Sequence, residues 1–315
     1  LESVVRLVRA LLPALSGEAD YGRAASLDTA IHLLTGLLYL PREILRNSLY
    51  EQRRQTSRLL RELIYDPSQT AGAGWNLKQL RRVATQLKEL LSADTWRVIQ
   101  RLEADLARTP ASHPDQHLDR EMSLLDDAIM GVSAFSGFLM ENTTRGHGWR
   151  FLDIGRRIER GVQLCEWLRC GLAQAPVAVE PHLELLLRLA DSSITYRTRY
   201  LDTPKSSLVL DLLLADESNP RSVGFQLATL SEHVSLLPRL DPSGRISEEQ
   251  KIVLKSLPAV RLAQQDSLAS AGGTGKREEL AVMLADVRSS LLELSDELTA
   301  GYLSHLLPLR MMASS

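Results

Sequence analysis

Three segments hold the residues whose types and spacing can do chemistry: "GHGWRFLDIGRRIERG" (146–161), "SSITYRTRY" (192–200) and "VLDLLLADESNPRS" (209–222). Their common currency is the guanidinium, a planar fork of donors that matches carboxylate and phosphate. On a helical wheel for 149–172, Phe151, Ile154, Ile158, Val162 and Cys165 form one apolar stripe. Arg156, Arg160 and Gln163 fall opposite it, with Glu159 on the flank. Glu159 is the candidate general acid/base, and Arg156 and Arg160 are candidate anion ligands. The plainer reading is an i,i+3 pair of Arg156 with Glu159 on a solvated face, worth a few tenths of a kcal/mol. Leu152 and Trp167 share that face, so part of it is expected to be covered.

The second segment continues a helix read over 182–201. Its wheel puts Leu186, Leu189, Ala190, Ser193 and Tyr200 in one stripe with Arg197 among them. A buried guanidinium must be paired, because its desolvation costs several kcal/mol. Asp211, alone in the apolar run "LVLDLLL", is as poorly placed without a partner. Asp211 with Arg197 or Arg199 is the structural reading. The functional one is that the arginines outnumber their partners and leave a fork open to an anion. Asn219 and Pro220 suit an N-cap and first helical position, and Arg221 beside such a helix start makes a carboxylate or phosphate seat. Tyr196, Trp149 and His147 are expected as neighbours. His147 lies between two glycines, yet no nucleophile or orienting acid accompanies it.

Other motifs fall away. "AGGTGKRE" (271–278) resembles a phosphate-binding loop, but Ser270 stands where the first glycine belongs and Arg277 where Ser or Thr belongs. "HPDQH" (113–117) offers His113, Asp115 and His117 with no second cluster, so no metal site is expected.

The elements that must position these residues are helical. Aromatics are 5% of the 315 residues, and leucine, a helix former, carries most of the apolar content. Apolar spacing of three and four predicts an all-α fold, with helices near 1–15, 24–40, 42–64, 75–91, 93–108, 118–142, 149–172, 181–201, 206–215, 220–238, 247–265 and 277–307. Residues 266–276 read as a flexible Gly/Ser linker. A formal charge of −2 argues against a general nucleic-acid binder. No run of about 18 uninterrupted apolar residues marks a membrane span. Cys165 and Cys170 read as reduced thiols of a cytoplasmic protein. The chain opens on "LESVVRLVRALL", already in helical register, as a truncated N-terminal helix would.

At an offset of 150, "LRELIYDPSQTAGAGWNLKQL" (60–80) aligns without a gap on "LDLLLADESNPRSVGFQLATL" (210–230), with Asp66/Asp216, Ser68/Ser218 and Gly74/Gly224 among the identities. That predicts an internally duplicated multi-helix bundle, its pseudo-repeats covering roughly 1–140 and 141–315 of a single helical domain. Opposite Arg197, Asp211 and Arg221 stand Asn47, Arg61 and Ala71, so the charged set belongs to the second half.

The three opening segments, together with "LIYDP" and "SADTW", resemble the alpha-E family, a bacterial α-helical domain named for its Glu-Arg motif. The resemblance runs through most of the chain and is densest between Glu141 and Pro238. An earlier Glu-Arg motif usual in the family would lie just before residue 1. What the resemblance implies is a partner more than a reaction: a circularly permuted ATP-grasp domain, fused or separate, with ATP and magnesium bound by that partner rather than here, and a transglutaminase-like protein nearby. The implied setting is peptide or amide synthesis or modification. The chain is then expected to be an accessory module that binds an anionic substrate or docks the ligase. A stand-alone enzyme using Glu159, or a scaffold whose charges only lock the halves together, are the alternatives.

Overall fold

A computed structural model describes residues 1–15, 26–107, 118–175, 179–238, 245–273 and 275–303. Among these all regular structure is helical, as the composition predicts. The chain divides into two compact units, Leu1–Thr144 and Arg145–Ser315. His113, Asp115 and His117 lie outside the described residues.

The first unit holds α1 (Glu2–Leu11), α2 (Leu27–Gly36), α3 (Leu49–Tyr65), α4 (Ala73–Gln86), α5 (Ala93–Leu106) and α6 (Leu118–Asn142). Serine side chains start three of them: Ser26 accepts from Thr29 N, Ser48 from Glu51 N and Ser92 from Thr95 N, each supplying a bond to an orphan helix-start amide. Ser48 also explains why the helix expected over 42–64 is two pieces, a 3₁₀ turn at Arg42–Arg46 and then α3. α6 packs on α5 and α1. Its Glu121 is buried and takes Arg61 Nε at 2.8 Å, the pairing a buried carboxylate requires. By length and composition α6 could cross a membrane, and 22% of its most apolar stretch is buried here; it carries Asp126 and Asp127 along its length.

The second unit holds α7 (His147–Leu168), α8 (Glu180–Leu189), α9 (Ser193–Tyr200), α10 (Ser206–Leu210), α11 (Val223–Ser235), α12 (Glu248–Arg261), α13 (Gln265–Ala269) and α14 (Glu278–Leu298). α7 packs on α11 and α14, and α12 packs on the same two helices, so the four form the core cluster. Gly161 permits the close approach: a Cβ there would lie 2.7 Å from Leu291 Cδ1 and 3.7 Å from Gln226 Cβ. α7, α10 and α14 each run on into a π turn, at Arg169–Ala173, Asp211–Ala215 and Thr299–Leu303.

Three expectations are corrected in this unit. The helix read over 181–201 is broken between α8 and α9, where Asp191 adopts φ 52°. The helix read from Pro220 begins at Val223. The expected linker over 266–276 instead contains α13, whose Leu268 is buried, and a turn in which Gly272 N donates to Lys276 O. Arg277 then ties the segment down. It is buried, and its guanidinium donates to Ala269 O and Leu172 O, terminal carbonyls whose partial negative charge suits a cation.

The turns aligned at offset 150 are built alike. Asp66 Oδ1 accepts from Ser68 N and Oγ at 2.8 and 2.7 Å, and Asp216 Oδ1 accepts from Ser218 N and Oγ at the same distances. In the helix that follows, Asn76 Nδ2 donates to Gly72 O and Gln226 Nε2 to Ser222 O.

Candidate functional site

The segment 211–222 joins the charged residues of the second unit. Asp216 spends one oxygen on Ser218 and gives the other to Arg199 Nη1. Arg199 Nη2 also stands 4.0 Å from Asp211 Oδ2, which accepts the Tyr200 hydroxyl. Burial and this bond to Asp211 raise the Tyr200 hydroxyl well above its ordinary range, so it stays a donor. Burial alone would raise the Asp216 carboxyl, but the Ser218 bonds and Arg199 outweigh it and lower it.

At the other end of α9, Asn219 is buried and donates through Nδ2 to Leu212 O at 3.0 Å and to Ser192 Oγ at 3.4 Å. Its Oδ1 accepts from Arg221 N. The Arg221 guanidinium is 3.8 Å from Asp191 Oδ2, on the left-handed residue that breaks α8 from α9. Asn219 is therefore not the helix cap. That role belongs to Ser222, whose Oγ accepts from Phe225 N at 2.9 Å, because the Asn219 side chain is already committed to the α8–α9 break. The helix start lies at Ser222–Val223, still beside Arg221, rather than at Asn219–Pro220.

Arg197 is exposed, contrary to the wheel, and its Nε donates to Ser193 O at 3.2 Å. The break at Asp191 resets the helical phase, so α9 buries Tyr196 instead. The Tyr196 hydroxyl closes the turn after α9, donating to Thr203 O at 3.0 Å and accepting from Lys205 N at 3.1 Å. Asp211 is half-buried, and its partners are Tyr200 and Arg199 rather than Arg197.

On α7 the organising residue is Asp153, which the sequence reading passes over. It is 1% exposed and accepts from His233 Nε2 at 2.9 Å, Arg157 Nε at 3.2 Å and Arg156 Nη1 at 3.4 Å. Burial opposes ionisation, but the His233 bond and the two guanidiniums win and hold the carboxyl at about 2. Arg157 Nη1 reaches Gln226 Oε1 at 3.3 Å, and Gln226 Nε2 donates to Pro220 O and Ser222 O. A continuous polar chain thus runs from His233 through Asp153, Arg157 and Gln226 to the 211–222 segment. Trp149 packs edge-on to His233 with centroids 5.3 Å apart, under the Arg145 guanidinium at 4.3 Å. His147 is exposed in the first turn of α7; further along, Glu159 is exposed and Arg160 half-buried.

The sequence could have revealed the network. Asp153 lies three and four residues before Arg156 and Arg157, and on the wheel it shares a face with Gly161 and Leu164 rather than with solvent. Gln226 and His233, seven apart on α11, face it in antiparallel order. Both thiols of this unit are buried and free, with Cys165 pushed up to about 12 and Cys170 to about 11, chiefly by burial.

The described residues are all-α, and the chain's one Glu-Arg dipeptide, Glu159-Arg160, lies on the long helix α7. The chain belongs to the Alpha-E family, described as a predicted alpha-helical domain with a conserved ER motif, whose family model matches residues 1–303. An uncharacterized protein of Mycobacterium bovis and two of Mycobacterium tuberculosis strains are each 31% identical over 248 residues, covering 77% of this chain. The chain spans 28% of the length of each of these relatives. No solved structure matched it.

Proposed function

We propose that this chain is the accessory helical module of an ATP-dependent carboxylate–amine ligase system, and that the arginines around 211–222 hold an anionic substrate, carboxylate or phosphate. The observation that carries the reading is convergence. Arg199 pairs with Asp216 and Asp211 of this segment, Arg221 belongs to it, and Arg157 reaches it through Gln226, with Arg156 beside Arg157 on Asp153. Arg197 adds an exposed guanidinium on α9. In the mycobacterial relatives the matching region is a part of a much longer chain, which supports a module rather than a free-standing enzyme. The partner we propose is a circularly permuted ATP-grasp domain, with ATP and magnesium on its side and a transglutaminase-like protein in the same system. Peptide or amide modification in the cytoplasm is the proposed setting, and the recurring Asp-x-Ser turns support two units descended from one helical ancestor.

The Asp153 network favours a second role for part of the set: Arg157, 12% exposed and bonded on two sides, locks α7 to α11. Arg197→Ala separates ligand contact from lock, because an exposed side chain can be removed without unfolding the unit. Thermal unfolding with and without a large excess of succinate or inorganic phosphate gives the readout. The proposal expects an unchanged melting temperature in the absence of anion and loss of anion protection in the variant. Equal protection of variant and wild type would return Arg197 to an ordinary surface residue.

A further inference from the structure

We propose that the first unit carries a ligand site of its own, a groove between the end of α3, α4 and α5 that takes an amphipathic phosphomonoester, an aromatic or apolar body bearing one phosphate. This site lies in a different unit from the arginine cluster and does not depend on how that cluster is read. The cavity measures about 620 Å³, within the range of small-molecule pockets. Its wall is apolar, with Tyr65, Pro67, Leu77 and Leu106, and its rim is cationic, with Lys78, Arg81 and Arg82.

The three cations are at i, i+3 and i+4 of α4 and so share one face of that helix. Like charges at that spacing work against the helix. Arg81 is relieved by an ion pair with Glu103 across the groove, whereas among the described residues Lys78 and Arg82 have no carboxylate partner. All three are exposed. The turn-and-helix architecture does not require them. Counted from the helix cap, the same positions of α11 are Ala228, Ser231 and Glu232.

Three cations against Glu103 leave two net positive charges at the rim, which match a phosphomonoester carrying close to two negative charges at neutral pH. The apolar wall then needs an organic body, which inorganic phosphate lacks. Tyr65 supplies a neutral donor beside the cations, since burial and the nearby Glu121 push its hydroxyl up to about 12. A long polyanion fits poorly, because the whole chain carries a formal charge of −2.

The test uses the full chain with phenyl phosphate, inorganic phosphate and phenol as probes, followed by titration calorimetry at fixed salt. Phenyl phosphate is expected to bind saturably and at least tenfold more tightly than either fragment. Lys78→Glu with Arg82→Glu should weaken it at least tenfold with the helical circular dichroism unchanged. If the double reversal fails to fold, Lys78→Gln with Arg82→Gln keeps the test open and should also weaken binding. The proposal is overturned by no saturable binding, by equal affinity for inorganic phosphate, or by binding that survives loss of both charges in a folded chain.

Discussion

Replacing Asp153 with Asn removes one charge at the point where α7 meets α11, and the structure sets what that should cost. The folded carboxyl sits at about 2 against an ordinary 3.8. A gap of that size between folded and unfolded chains is worth about 2 kcal/mol at neutral pH. Because the folded value is the depressed one, the stabilisation is fully present above the unfolded value and is lost as pH falls through the folded one. About half should remain at pH 3 and almost none below pH 2. The introduced amide would keep the volume and one acceptor but leave Arg157, 12% exposed, without its counter-charge. The assay is urea unfolding of wild type and Asp153→Asn at pH 7, 5, 4 and 3, followed by circular dichroism. The variant should lose about 2 kcal/mol at pH 7, with that difference constant to about pH 4 and then shrinking. An unchanged stability at pH 7, or a deficit that persists undiminished at pH 3, would refute the electrostatic argument and leave only packing.

Two further predictions concern packing and reactivity. A Cβ on Gly224 would come within 2.6 Å of Ala215 O, a backbone atom, while one on Gly74 in the matching turn finds its nearest neighbour at 3.4 Å. Gly224→Ala should therefore cost about 2 kcal/mol or more, and Gly74→Ala should be close to neutral, as denaturant midpoints would show; equal effects would contradict this. Cys165 and Cys170 are buried, with thiols pushed up to about 12 and 11. Neither should react with a thiol-specific disulfide reagent at pH 8 until the chain is unfolded, when both react; rapid labelling of the native protein would count against that placement.

The helices were legible where local chemistry agreed with the global fold. α6 occupies the span its apolar period predicts, and α5 starts where Ser92 caps it. The errors share one cause, a local signal serving a different purpose. "ADSS" (190–193) is a short polar stretch inside an apolar period, and a helix continued through it carries the wrong phase into α9 and puts Arg197 in the apolar stripe. Asn219-Pro220 satisfies the rules for a helix start, yet Asn219 is spent on Leu212 and Ser192, and Ser222 caps instead. Asp153 was missed because an isolated acid near arginines looks solvated; only the wheel position it shares with Gly161 shows that it faces the core. The network across α11 needs tertiary pairing of residues some seventy to eighty apart in sequence, which no local period encodes.

The central claim is that this chain serves a ligase as a substrate-holding module. Native mass spectrometry of the full chain, co-expressed with a circularly permuted ATP-grasp protein as the proposed partner, tests it most directly. The account predicts a stoichiometric complex carrying a small anionic adduct, with the adduct lost and the complex kept in Arg197→Ala. Free chains with no complex and no adduct would contradict it, and the arginines around 211–222 would then be structural.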